Sequence, residues 1–180
     1  MKRIALIVLV IMTGWLFPVY ADDEVLQTGA RELYTVLAIG DPILDEGDWL
    51  VEAASERSDR TQVTWSSSAL GALAHFEYLH FEDGVTKQVM DTWFSADSFD
   101  VMFGGYESFE EADACRANGL RLYEFDARED GFDYRIRLWG QPMTSTRLLH
   151  ALLVFPADEM DALDDYAEQL FPELPSCEES

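Results

Sequence analysis

Positive charge is what this sequence lacks. Its 180 residues carry 12 Lys and Arg against 35 Asp and Glu, a formal net charge of -23 at pH 7. Nucleic acid is held chiefly by Lys and Arg on phosphate, so that class of partner is excluded. An anionic membrane surface repels the chain for the same reason. Cysteine is scarce as well, Cys115 and Cys177 being the whole complement. With only 6 Pro and 11 Gly, no Pro- or Gly-rich linker divides the chain. Internal repeats and low-complexity tracts are missing, and the short Gly and Ser clusters read as turns.

Long apolar runs are also few, and one of them has the flanks of a targeting segment. Lys2 and Arg3 precede the run Ile4 to Phe17, and Pro18, Val19, Tyr20 and Ala21 lead into Asp22, Asp23 and Glu24. This is the order of a secretory signal peptide. Small side chains at Val19 and Ala21 suit the signal peptidase pockets, which puts cleavage between Ala21 and Asp22. The run is shorter than the ~20 residues that span a bilayer. No later run is apolar enough to cross one, so no membrane span is expected once the leader is removed. No Cys follows the run, which argues against a lipid anchor. The expected organisation is therefore a signal peptide, 1–21, and a single acidic domain, 22–180, in the periplasm or secreted.

Loss of the leader removes Lys2 and Arg3 but no acid, so the charge of the folded part becomes still more negative. The carboxylates are spread along the chain instead of forming one block. Self-repulsion of that kind is screened by salt, and the dispersal reads as a surface adapted to a salty environment. A surface for a cationic partner or for calcium is the alternative. In an exported domain an even cysteine count implies pairing, here Cys115 with Cys177. Such a bridge closes a loop of roughly 60 residues, which chain-entropy arguments rate at about 4 kcal/mol.

The strongest local signal lies between Leu120 and Trp139, where two alternating runs flank Asp130-Gly131, a two-residue hairpin turn. With those two in the loop, Arg128 faces Asp133, Asp126 faces Arg135 and Glu124 faces Arg137. Tyr123, Phe125, Ala127, Tyr134, Ile136 and Leu138 take the other face. A slip of one residue would turn half the apolar set outward and scramble the ion pairs, so pattern and turn chemistry specify one register. The three pairs are expected to be exposed. Trp139, opposite Leu122 on the charged face, is expected to pack beneath a covering element.

Ser108 to Glu111 forms an S-x-x-E capping box and Asn118-Gly119 a helix stop, which predicts a short helix carrying Cys115. Arg147 to Phe155 is almost continuously apolar and reads as a central strand buried on both faces. Asp158 to Phe171 has an apolar stripe at helical spacing, ended by Pro172. Two more hairpins are expected, Ala74–Phe81 with Val85–Phe94 about Asp83-Gly84, and Trp49–Glu56 with Thr61–Ser67. Glu24 to Ile39 fits either a helix or a strand. Hairpins in series give the fold class α+β: an antiparallel sheet with helices packed on one face and a C-terminal amphipathic helix.

Catalytic patterns are sparse. His75 and Glu77 would share a strand face, His80 the opposite one with Glu82, and His150 would supply a third donor only if its strand adjoins theirs. No metal site is expected from that set, a buried neutral histidine being the commoner use. Ser66, Ser67 and Ser68 lack a nucleophile context and read as a turn or cap, and Gly104-Gly105 as a loop. Alternating calcium-loop ligands are missing. The expectation is thus a non-catalytic binding or accessory domain without a cofactor, its partner an unspecified protein or small molecule. The alternatives are a carrier with an apolar pocket, and a hydrolase or metal-dependent enzyme using the histidines.

Overall fold

The computed structural model describes residues 48–177. The expected leader, its cleavage point at Ala21 and Asp22, and the ambiguous stretch Glu24 to Ile39 lie outside them. Seven strands form one antiparallel sheet: β1 (Trp49–Glu56), β2 (Arg60–Ser67), β3 (Ala72–His80), β4 (Ser108–Ala117), β5 (Leu120–Glu129), β6 (Phe132–Pro142) and β7 (Arg147–Pro156). Their order across the sheet is β1-β2-β3-β7-β6-β5-β4. Helices α1 (Lys87–Trp93) and α2 (Ala96–Phe103) join β3 to β4, and α3 (Met160–Leu170) follows β7. The α1–α2 connection carries the chain from mid-sheet to the far edge, and hairpins then walk it back until β7 meets β3.

The centre of the sheet is β7, whose residues from Leu148 to Phe155 are all buried. Because successive side chains point to opposite faces, a strand buried throughout needs cover on both. On one face α3 supplies Leu163, Ala167 and Leu170 against Leu149, Ala151, Leu153 and Phe155 of β7. The other face of β7, with Leu148, Leu152 and Val154, belongs to the core that contains Met90 and Phe94 of α1 and Phe99 and Phe103 of α2. The α+β class, the antiparallel sheet and the C-terminal helix are as expected, but helices cover both faces, not one.

The hairpin at Asp130-Gly131 has the expected register, with Arg128 opposite Asp133, Asp126 opposite Arg135 and Glu124 opposite Arg137. Asp130 and Gly131 both have positive φ, 51° and 81°, the geometry of a type I′ turn matched to strand twist. The first hairpin, β1 with β2, also pairs as expected, around a bulge between Val51 and Ala53.

Two expectations fail. Ser108 to Glu111 opens strand β4, not a helix, and Cys115 lies in that strand opposite Leu122. Asn118-Gly119 is a second I′-type turn, φ 50° and 87°; Asn-Gly serves both ends of a helix and hairpins, and the long ladder with β5 outweighs one local cap. Val85 to Phe94 is not the return strand of a hairpin either. Thr86 caps α1 by accepting from the Val89 N–H at 3.2 Å, Lys87 pairs with Asp91 one turn on, and Met90, Trp93 and Phe94 recur at helical spacing. Asp83-Gly84 does turn the chain, but into that helix, and β3 pairs with β7 instead.

Gly140 fixes how closely α1 approaches. A β-carbon there would stand 2.0 Å from Cζ of Phe94, so the ring lies directly on β6 backbone, stacked on Tyr123 with centroids 5.6 Å apart. Gly140→Ala is therefore expected to destabilise the domain by about 2 kcal/mol through overpacking, measured by urea unfolding. Phe94→Leu should recover part of that loss in the double variant; additive losses would show that the contact is not what limits the approach.

Candidate functional site

Two polar clusters lie within this frame, one under each layer of helices. On the α1 side, β3 and β7 set Glu77 directly opposite His150, and β2 sets Thr64 opposite His75. Glu77 Oε1 lies 3.5 Å from His75 Nε2 and 3.3 Å from Arg60 Nη1, while its Oε2 lies 3.3 Å from His150 Nδ1. Thr64 Oγ1 and His75 Nδ1 share a hydrogen bond of 2.7 Å. Glu77, His75 and His150 are no more than 4% exposed, and Trp93 and Phe94 of α1 stand against the His150 ring. Burial pushes the Glu77 carboxyl up, but the contacts to His150 and His75 and their positive charge together outweigh it and hold the group far below the usual carboxylate range.

The structure thus assembles three of the four candidate residues, His75, Glu77 and His150. His80 stays apart at the end of β3, opposite Arg147. The two imidazoles flank the carboxylate through different oxygens, and the three residues do not bring one donor each within 4.8 Å of one another. That is the geometry of a buried charge hemmed by partners, as burial of a carboxylate requires. Ser67 accepts from the Leu70 N–H in the β2–β3 turn, and Ser66 donates to Glu52 across the sheet edge. Gly104 ends α2.

The second cluster lies on the α3 side and is not legible as a site from spacing alone. Arg137 Nε donates to Glu124 at 2.6 Å across the β5–β6 ladder, and its Nη2 forms an ion pair with Asp164 of α3 at 2.7 Å. Both strand residues are buried, Arg137 at 3% and Glu124 at 4% exposure, so this rung is not an exposed pair. The signal was the next rung: Leu122 and Trp139 share that face, and Trp139 is buried beneath the tail. Its ring stacks on Phe171 with centroids 4.4 Å apart and its Nε1 donates to the Leu174 carbonyl at 2.8 Å. Cys115 of β4 and Cys177 form a disulfide, Cα atoms 5.5 Å apart, which staples the same tail to the sheet edge.

Between α3, the β5–β6 ladder and the stapled tail lies a cleft of about 250 Å³. Glu124, Arg135 and Arg137 form its floor, Asp164 and Glu168 its helix side, and Pro175 and Ser176 its tail side. One guanidinium nitrogen of Arg137, Nη1, has no hydrogen-bond partner. Asp113, Glu124 and Cys177 bring donor atoms within 4.8 Å of one another beside the cleft, but the sulfur is committed to the disulfide and the Glu124 carboxylate to Arg137. That set does not fit a metal ion.

No protein-family model matches the sequence, and no curated protein matches it. Among solved structures, LpqN, involved in cell envelope biogenesis of Mycobacterium tuberculosis, is similar at 13% identity over 69% of this chain and 76% of that one, TM-score 0.41. Human StAR-related lipid transfer protein 5 is similar at 10% identity over 81% of this chain and 95% of that one, TM-score 0.32. Likeness at these values transfers no residue, ligand or role. Among the described residues, no helix is long and apolar enough to cross a membrane.

Glu77→Gln removes the charge that Arg60 and the two histidines face, and is expected to cost about 3 kcal/mol at pH 7. Because the folded-state pKa of Glu77 is depressed, its contribution is complete above the unfolded value of 4.5 and is lost as pH falls below it. The difference between wild type and variant should therefore shrink between pH 5 and pH 3. Urea unfolding across that range checks this; a difference that grows towards acid would contradict it.

Proposed function

We propose that the chain is an exported binding module and that the cleft between α3, the β5–β6 ladder and the C-terminal tail is its ligand site. The observation that carries the reading is a concavity with polar walls among the described residues, floored by the buried Arg137 and its partner Glu124. Concave sites with a few convergent polar groups are the usual seat of small-molecule binding. Work outside the cytoplasm is supported by the leader-like sequence of residues 1–21 and by the Cys115–Cys177 disulfide, a bond that persists in oxidising compartments. The histidine cluster is sealed and lies on the opposite face, which favours binding over catalysis. Where α1 meets the sheet, Phe94 leaves no room above Gly140, and that contact speaks against a carrier cavity between those layers.

The test is a protein-observed NMR screen of small polar compounds, with amide shifts mapped onto the structure. Hits that move Arg135, Arg137, Met160 and Ser176 together are expected. Hits confined to other surfaces, or none at all, would overturn the assignment of the cleft.

A further inference from the structure

We infer that the Cys115–Cys177 bond is a redox latch on the C-terminal tail, so that the cleft has its tail wall only in the oxidised protein. The latch stands on the geometry of the tail alone; its bearing on binding rests on the cleft being the ligand site.

The tail after α3 has little of its own to hold it. No residue from Pro172 to Cys177 belongs to a helix or a strand, and the Leu174 N–H bonds locally, to the Phe171 carbonyl at 3.0 Å. The segment reaches the sheet through Trp139, whose Nε1 donates to the Leu174 carbonyl at 2.8 Å, through the Leu174 side chain, 2% exposed, and through the disulfide. Ordering the backbone of one residue opposes folding by at least as much as one hydrogen bond favours it. One hydrogen bond and one buried leucine therefore do not balance the ordering of a whole irregular segment, even though Pro172 and Pro175 lower that entropy. The bridge makes up the difference by confining the open tail to the neighbourhood of the sheet edge.

The other walls do not depend on the latch. Helix α3 packs into the core through Leu163, Ala167 and Leu170, and the β5–β6 ladder is paired along its length. Pro175 and Ser176, which line the cleft, stand immediately before Cys177. Release of that sulfur removes one wall and uncovers the Trp139 indole while sheet and helix persist. Access is from the sheet edge: β4 is the outermost strand, and its Cys115 is half-buried, whereas Cys177 is buried.

Closure is a two-electron oxidation. Both Sγ–H bonds break, the Sγ–Sγ bond forms, and a disulfide oxidant takes up the two electrons and two protons as it becomes a dithiol. Opening is the reverse, driven by a dithiol reductant whose thiolate attacks Cys115 Sγ and frees Cys177. In a reducing compartment the tail is unlatched and the cleft incomplete; the site is finished where disulfides persist.

The experiment is hydrogen exchange of amides and indoles, read by NMR on the folded, disulfide-bonded protein before and after reduction with dithiothreitol. Reduction should speed exchange of the Trp139 indole N–H at least ~100-fold and shift the Ser176 amide, while the β5, β6 and β7 amides keep their protection. Reoxidation should reverse both changes, and Cys115→Ser with Cys177→Ser should reproduce the reduced protein. A Trp139 indole as protected after reduction as before would mean that the tail stays shut unaided. Loss of protection in every strand together, in the reduced protein or the double variant, would mean that the bridge holds the whole fold. Either result overturns the latch. No ligand enters this experiment, so its failure is distinct from failure of the cleft in the compound screen.

Discussion

The guanidinium of Arg137 joins α3 to the β5–β6 ladder by charge as well as by apolar contact. It is held by Glu124 on the neighbouring strand and by Asp164 on α3, at 2.6 and 2.7 Å. Arg137 and Glu124 are both buried, so losing either would leave the other uncompensated in a low-dielectric setting, a change that typically costs several kcal/mol. The hairpin register decides whether the Glu124–Arg137 pair exists, and Asp164 joins that pair to α3, which packs through Leu163, Ala167 and Leu170. Once α3 is placed, Trp139 has Phe171 and the Leu174 carbonyl above it, and the tail runs back to Cys115. The cleft is what remains between these fixed walls.

The two sides of the sheet solve the burial of charge differently. Under α1 and α2, Glu77 is enclosed by Arg60, His75 and His150, and the aromatic cover of Trp93 and Phe94 closes over His150. That cluster has no route to solvent through the described cleft, which opens on the other face. Under α3 the buried charge sits at the edge of the apolar core, where helix and tail leave a gap. Glu77 is enclosed within the sheet by three partners, whereas Arg137 lies on the floor of a cleft between helix and tail.

Much of this was legible in the residues. The alternation on either side of Asp130-Gly131 and the charge pairs across it named the register residue by residue, because a two-residue turn, a period of two and a charge ladder all had to agree. Arg147 to Phe155 announced a strand needing cover on both faces, which α1 and α2 supply on one side and α3 on the other. The structure departs from the sequence pattern where a segment has two compatible uses. Asn118-Gly119 ends helices and makes hairpins equally well, and Ser108 to Glu111 reads as a cap until β5 is known to need a partner. Val85 to Phe94 alternates loosely enough to pass for a strand, and only the Thr86 cap and the Lys87–Asp91 spacing mark it as a helix. The cleft was beyond reach because its walls come from β5, β6, α3 and the tail, and the burial of the Glu124–Arg137 rung depends on where α3 lands.

The most direct test of this account is a double-mutant cycle on Glu124→Gln and Arg137→Met, read as the free energy of urea unfolding at pH 7. Each single variant should be destabilised by about 3–5 kcal/mol, with the double variant much less affected than the sum. The coupling should reach at least ~2 kcal/mol, in line with close, desolvated charge pairs. Additive losses, with coupling under about 0.5 kcal/mol, would mean that the Arg137 pair does not organise the α3 side of the sheet.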